Sequence, residues 1–175
     1  MKGIKRIALL LVSCAVLSGA APSAPPEFTH KNASDWINSE PLTLAGLKGK
    51  VVLVEMWAFE CVNCVNSRPW VESIVQNKSG AGLVVIGVHS PEFSEEHSVP
   101  ALHKAVEKFG IHYPVMIDND SSYWHAMHTQ VWPTFYIIGR DGLLYAGVPG
   151  ELHVGDERAT KVEAALDLLL KAPAS

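Results

Sequence analysis

Residues 51–57 read VVLVEMW, and no other stretch constrains the fold as strongly. The run is short, almost wholly apolar and rich in β-branched residues, and only Glu55 interrupts it. A strand with that pattern sits inside a sheet covered on both faces, because neither of its sides is fit for water. LVVIGVH at 83–89 has the same character.

The rest of the chain alternates around these two runs. Residues 62–77 read as a helix with Pro69 as a kink. A second helix is expected from about Pro100 to Phe109. PVMID follows as a short extended piece, then a helical segment spans Ser121–His128. TFYIIG and LLYAGV flank RDG as a strand hairpin. The last helix runs from about Asp156 to Leu170, with Val162, Ala165, Leu166 and Leu169 as its apolar stripe. LTL at 42–44, ahead of GLKGK, suggests one more short strand and a turn. That order predicts an α/β fold with a central mixed β-sheet and helices on both faces. No internal repeat is visible.

The N-terminus has another character. Lys2, Lys5 and Arg6 precede an apolar stretch from Ile7 to Leu17, and small residues follow. This is the pattern of a signal peptide, expected over residues 1–20, and it implies export to the periplasm. Anchoring as a lipoprotein through Cys14 is the lesser alternative, because the apolar core before Cys14 is very short. Loss of residues 1–20 would take the formal net charge from −4 to −7, since Lys2, Lys5 and Arg6 leave with them. Such an acidic chain without basic runs is a poor partner for nucleic acid. Residues 21–34, APSAPPEFTHKNAS, are expected to form a flexible lead-in, and residues 35–175 the folded domain.

With Cys14 in the leader, only Cys61 and Cys64 of the three cysteines remain. One isolated pair makes no disulfide framework. A structural zinc site would need a second pair, and none is present. Copper(I) needs fewer ligands, so two thiolates and one of the eight histidines could hold it, which leaves a metallochaperone as an alternative. His125 and His128 would share a helical face.

The position of the pair favours redox chemistry. It follows the carboxyl end of a buried strand, where reactive groups collect in such sheets. A helix starting near Cys61 would lower its thiol pKa through free N–H groups and the helix dipole. Cys64, one turn later, is placed to close a disulfide. Cys61 then reads as the nucleophile and Cys64 as the resolving thiol. Glu55 reads as a buried carboxyl of raised pKa, able to take and return protons. An acid at a strand edge reaching water is the plainer alternative.

These residues carry a resemblance. VVLVEMWAFECVNC resembles the active-site strand and motif of thioredoxin-fold proteins, and VWPTFYII is similar to their cis-proline segment. DWINSEPLTLAGLKGKVVLVEMW, GLVVIGVHSPEF and YPVMIDND resemble the TlpA-like group, in particular the thioredoxin-like domains attached to DipZ-type membrane electron carriers. The resemblance covers about residues 35–170. It implies a thioredoxin-like fold and protein-disulfide oxidoreductase activity at Cys61 and Cys64, with Glu55 as the acid beneath them. It also implies a cis Trp132–Pro133 bond facing the dithiol, and a substrate groove flanked by Trp57, Trp132 and Pro133. The implied partners are proteins with cysteine pairs and a membrane electron donor of the DsbD, CcdA or DipZ type. Neither cofactor nor metal is expected, and the chain is expected to be a monomer. A thiol peroxidase is disfavoured, because Ala58 stands where that family has threonine. Val62-Asn63 is neither the Gly-Pro of reducing thioredoxins nor the Pro-His of strong oxidants. The direction expected is reduction.

Overall fold

The computed structural model describes residues 21–173. The expected leader, with Cys14, lies outside them. One sheet of six strands organises the chain: β1 (Trp36–Ile37), β2 (Val51–Trp57), β3 (Leu83–His89), β4 (Val115–Ile117), β5 (Thr134–Ile138) and β6 (Leu144–Pro149). Their spatial order is β1-β4-β3-β2-β5-β6. β2, β3 and β4 run parallel, whereas β1, β5 and β6 are antiparallel to their neighbours. The sheet is therefore mixed, as the sequence predicts.

All of β2 is buried, and its alternation separates two cores. Val51, Leu53 and Trp57 face one core, closed by α1 (Val62–Lys78), α2 (Val99–Lys108) and α4 (Glu157–Lys171). Trp70, Val71 and Ile74 of α1, Leu102 and Val106 of α2, and Val162 and Leu166 of α4 supply its helical wall. Val52, Val54 and Met56 face the other core, which has only the short helix α3 (Ser122–Ala126) above it.

That imbalance corrects the expectation of a flexible lead-in. A five-residue helix cannot cover a six-stranded sheet. The chain ahead of β1 completes the layer: Phe28 is 1% exposed and packs against Trp36 and Tyr123 at centroid distances of 5.5 and 5.3 Å. Ser23 exchanges backbone hydrogen bonds with Leu144. The folded unit thus begins well before residue 35.

Two smaller expectations also change. Residues 42–44 form no strand; Leu42, Leu44 and Leu47 instead pack their side chains onto the second core, around a 3₁₀ turn at Ala45–Leu47. The helical segment expected over 121–128 is only Ser122–Ala126. Ser121 and His128 take left-handed φ values of 57° and 53° at its ends, so His125 and His128 do not share a helical face. Among the described residues, no helix is long and apolar enough to cross a membrane.

Candidate active site

Cys61 is the N-cap of α1. Its extended backbone turns the chain out of β2, and its sulfur accepts the backbone N–H of Cys64 at 3.3 Å. The sulfur thus does what a serine or aspartate oxygen does at other helix starts, and it gains from being negative there. Cys64 comes one turn later on the buried face of α1, beside Ser67 and Trp70. Cys61 is 5% exposed and Cys64 1%, so Cys61 is the more accessible of the two. Both are free thiols.

The two thiols are polarised in opposite directions. The Cys64 thiol donates to Cys61 and holds the Cys61 pKa below the ordinary thiol value, against the effects of burial and the Glu92 charge. Burial and the same hydrogen bond push Cys64 far upward, and the charge of Glu55 adds to this. Of the two thiols, Cys61 gives up its proton the more readily.

Glu55 is 1% exposed and lies on the α1 side of β2, between Gly87 on β3 and Phe135 on β5. Burial pushes its pKa up to about 7, while the Arg68 charge and a hydrogen bond from Tyr113 pull the other way. The charge of this carboxyl reaches the Cys64 thiol and adds to its upward shift.

The Trp132–Pro133 peptide bond is cis. Thr134 pairs with Met56, so Pro133 enters the sheet level with Trp57, at the strand end from which the Cys61 turn departs. Trp132 stacks on Trp124 at 4.0 Å, and its Nε1 donates to the Ser90 carbonyl at 2.8 Å. Trp57 is 2% exposed and packs edge-on against His89, so its side chain is a wall of the site and offers no face to a substrate.

Several site residues were not apparent in the sequence. Glu96 sits in SPEFSEEHS, a stretch that reads as a solvated loop, yet it is fully buried. Its carboxylate accepts the backbone N–H groups of Glu60 at 2.7 Å, Glu92 at 2.8 Å and Phe93 at 2.9 Å. His89 is also fully buried, stacked on Phe59 at 5.3 Å, and burial brings its pKa down to about 3. Asp118 accepts from Ser90 Oγ and from the N–H groups of Tyr123 and Trp124, tying β4, α3 and the loop under Trp132 together. Tyr113 donates to Glu55 from the stretch before β4, and Arg68 of α1 donates in turn to Tyr113. Among the described residues, the one grouping of three potential metal-ligating side chains is His30, Asp118 and Asp120. It includes neither cysteine.

The sequence matches the Redoxin family over residues 21–166, nearly the whole of the described chain. The chain belongs to the Redoxin family. Among curated relatives, protein DipZ of Mycobacterium tuberculosis is 36% identical over 115 residues, covering 64% of this chain and 16% of that protein. The thiol-disulfide oxidoreductase ResA of Bacillus subtilis is 25% identical over 115 residues, 66% of this chain and 62% of its own length. The chain thus spans under a fifth of DipZ and about three fifths of ResA. In fold, this Redoxin chain is similar to the crystal structure of the thioredoxin-like superfamily protein SPOA0173. The TM-score is 0.76 at 24% identity, over 87% of this chain and 99% of that one. The fold is thioredoxin-like.

Proposed function

We propose that this Redoxin protein is an exported thiol–disulfide oxidoreductase that reduces cysteine pairs in other exported proteins. The observation that carries the reading is the Cys61 N-cap, whose sulfur takes the Cys64 N–H while a titrating carboxyl lies buried below.

The exchange follows from this geometry. The Cys61 thiolate attacks one sulfur of a substrate disulfide; that S–S bond breaks and the departing thiolate takes a proton from water. Cys61 is then joined to the substrate in a mixed disulfide. Cys64 gives its proton to the Glu55 carboxylate and attacks the Cys61 sulfur. A Cys61–Cys64 disulfide forms, the second substrate thiolate leaves, and two electrons have passed to the substrate.

Direction depends on how well the reduced form is stabilised. Strong oxidants stabilise their thiolate. Here no lysine or arginine occurs in residues 58–67, and the Glu92 charge opposes the Cys61 thiolate. The Cys61 thiolate is therefore held by hydrogen bonds from Cys64 and Asn63 with no cationic side chain in this stretch to add to them, which supports an electron-donating dithiol. The oxidised protein would be returned to the dithiol by a membrane electron carrier of the DsbD, CcdA or DipZ type. The basic and apolar leader supports work outside the cytoplasm.

The test is a single-turnover reduction of a peptide disulfide by the reduced protein. Equimolar release of peptide thiol is expected from the parent chain and none from Cys61→Ser. A Cys64→Ser chain should stop at the mixed disulfide. Release by Cys61→Ser at the parent rate would overturn the reading.

A further inference from the structure

Glu55 faces Gly87 across the β2–β3 ladder, and the missing side chain at 87 matters. A Cβ there would lie 2.8 Å from Trp57 Nε1 and 3.2 Å from Tyr113 Cε2. The space it would fill is the slot through which the Tyr113 ring crosses β3, reaching over from the residues just before β4. At the end of that slot the phenol oxygen is 3.0 Å from Glu55 Oε2. On its other side stands Arg68 of α1, with Nη1 3.4 Å from the same phenol oxygen and Nη2 donating to the Phe109 carbonyl at 3.0 Å.

The donor inventory fixes the sense of this chain. A guanidinium has no acceptor and does not lose its proton, so the phenol oxygen must accept from Arg68. Its own hydrogen is then directed to Glu55 Oε2. Tyr113 keeps that hydrogen at working pH, because burial first, and the Glu55 charge second, hold its pKa well above the ordinary phenol value. The charged or titrating groups that act on this site are Arg68, Tyr113, Cys64 and, through Cys64, Cys61.

We propose that Tyr113, oriented by Arg68, is a positioning residue that clamps Glu55 by one carboxylate oxygen and stabilises its ionised form. This rests on the reading of Glu55 as the proton acceptor for Cys64. Burial alone would keep Glu55 protonated and useless as a base. The clamp returns part of its acidity, so that an empty carboxylate is present when Cys64 must release its proton. The proton moves from the Cys64 sulfur to Glu55; Tyr113 donates throughout and transfers none.

The experiment follows the protonated-carboxyl infrared band of Glu55 against pH in the reduced full chain, identified by its loss in Glu55→Gln. Tyr113→Phe should move the titration midpoint upward by about one unit, the value of one hydrogen bond to a charged group. Arg68→Gln, on the half-exposed end of the network, should move it the same way and serves where Tyr113→Phe does not fold. An unmoved midpoint in a folded variant overturns the clamp. The band reports on Tyr113 whether or not Glu55 handles protons. A shifted midpoint with an unshifted rate of mixed-disulfide resolution therefore supports the clamp and removes the relay role of Glu55.

Discussion

The buried carboxylate of Glu96 holds the backbone N–H of Glu60, the residue before Cys61, at 2.7 Å. Its other oxygen accepts from Glu92 and Phe93, so one side chain fastens the loop after β3 to the turn that presents Cys61. Glu96→Ala leaves three N–H donors without their acceptor. It should lower stability by about 2–4 kcal/mol, because hydrogen bonds to charged groups are among the stronger ones. Urea unfolding measures this. Glu96→Gln, which keeps one acceptor oxygen, should lose less. Equal stability of parent and alanine chains would mean that the latch contributes nothing.

The opposite polarisation of the two thiols predicts their order of reaction. In the reduced chain, iodoacetamide at neutral pH should label Cys61 well ahead of Cys64, since only the thiolate reacts. Mass spectrometry of the peptides reads the order. Faster labelling of Cys64 would reverse the assigned roles.

Two buried groups give stability opposite pH dependences. Glu55 rises from an ordinary 4.5 to about 7 on folding, so the folded state binds its proton more tightly. Stability from this group is whole below 4.5 and declines as pH rises towards 7, by on the order of 3 kcal/mol. His89 falls from 6.5 to about 3, so its share is whole above 6.5 and is lost as pH falls towards 3. Glu55→Gln should therefore flatten the decline between pH 4.5 and 7 and leave the loss towards acid in place. Unfolding free energies across that range decide it; a parallel curve for the variant would contradict the assignment.

Phe28 tests where the folded unit begins. It is 1% exposed between Trp36 and Tyr123, so Phe28→Ala should cost about 3–5 kcal/mol. Removal of the side chain from a mobile lead-in would cost nothing. Thermal or urea unfolding separates the two.

How much of this was legible follows from where each signal lies along the chain. VVLVEMW declares a buried central strand by its composition, and Cys61 and Cys64 declare themselves by spacing and place. Glu55 stood out as a lone acid in an apolar run. The cis bond at Pro133 was carried by family likeness, since nothing local demands it. Glu96 was hidden because its neighbours are polar and its burial comes from three converging backbone N–H groups. Its carboxylate takes the N–H of Phe93, which precedes the 3₁₀ turn Ser94–His97, but Phe93 has no side-chain acceptor to answer it, so the Ser or Thr signal of a capping box is missing. Tyr113 meets Glu55, and Arg68 meets Tyr113, only after the sheet and α1 have formed, across long sequence separations. The lead-in misled because Ala, Pro and Ser suggest mobility, whereas the open face of the sheet required Phe28.

The central claim is that Cys61 and Cys64 form an electron-donating dithiol, and its most direct measure is their reduction potential. Equilibration of the full chain with glutathione buffers, read by the mass change on alkylation, gives that value. The account predicts one dithiol–disulfide couple more negative than about −200 mV, on the reducing side of protein disulfide isomerase. A potential near about −120 mV, the value of DsbA, or no Cys61–Cys64 disulfide in any buffer, would contradict it.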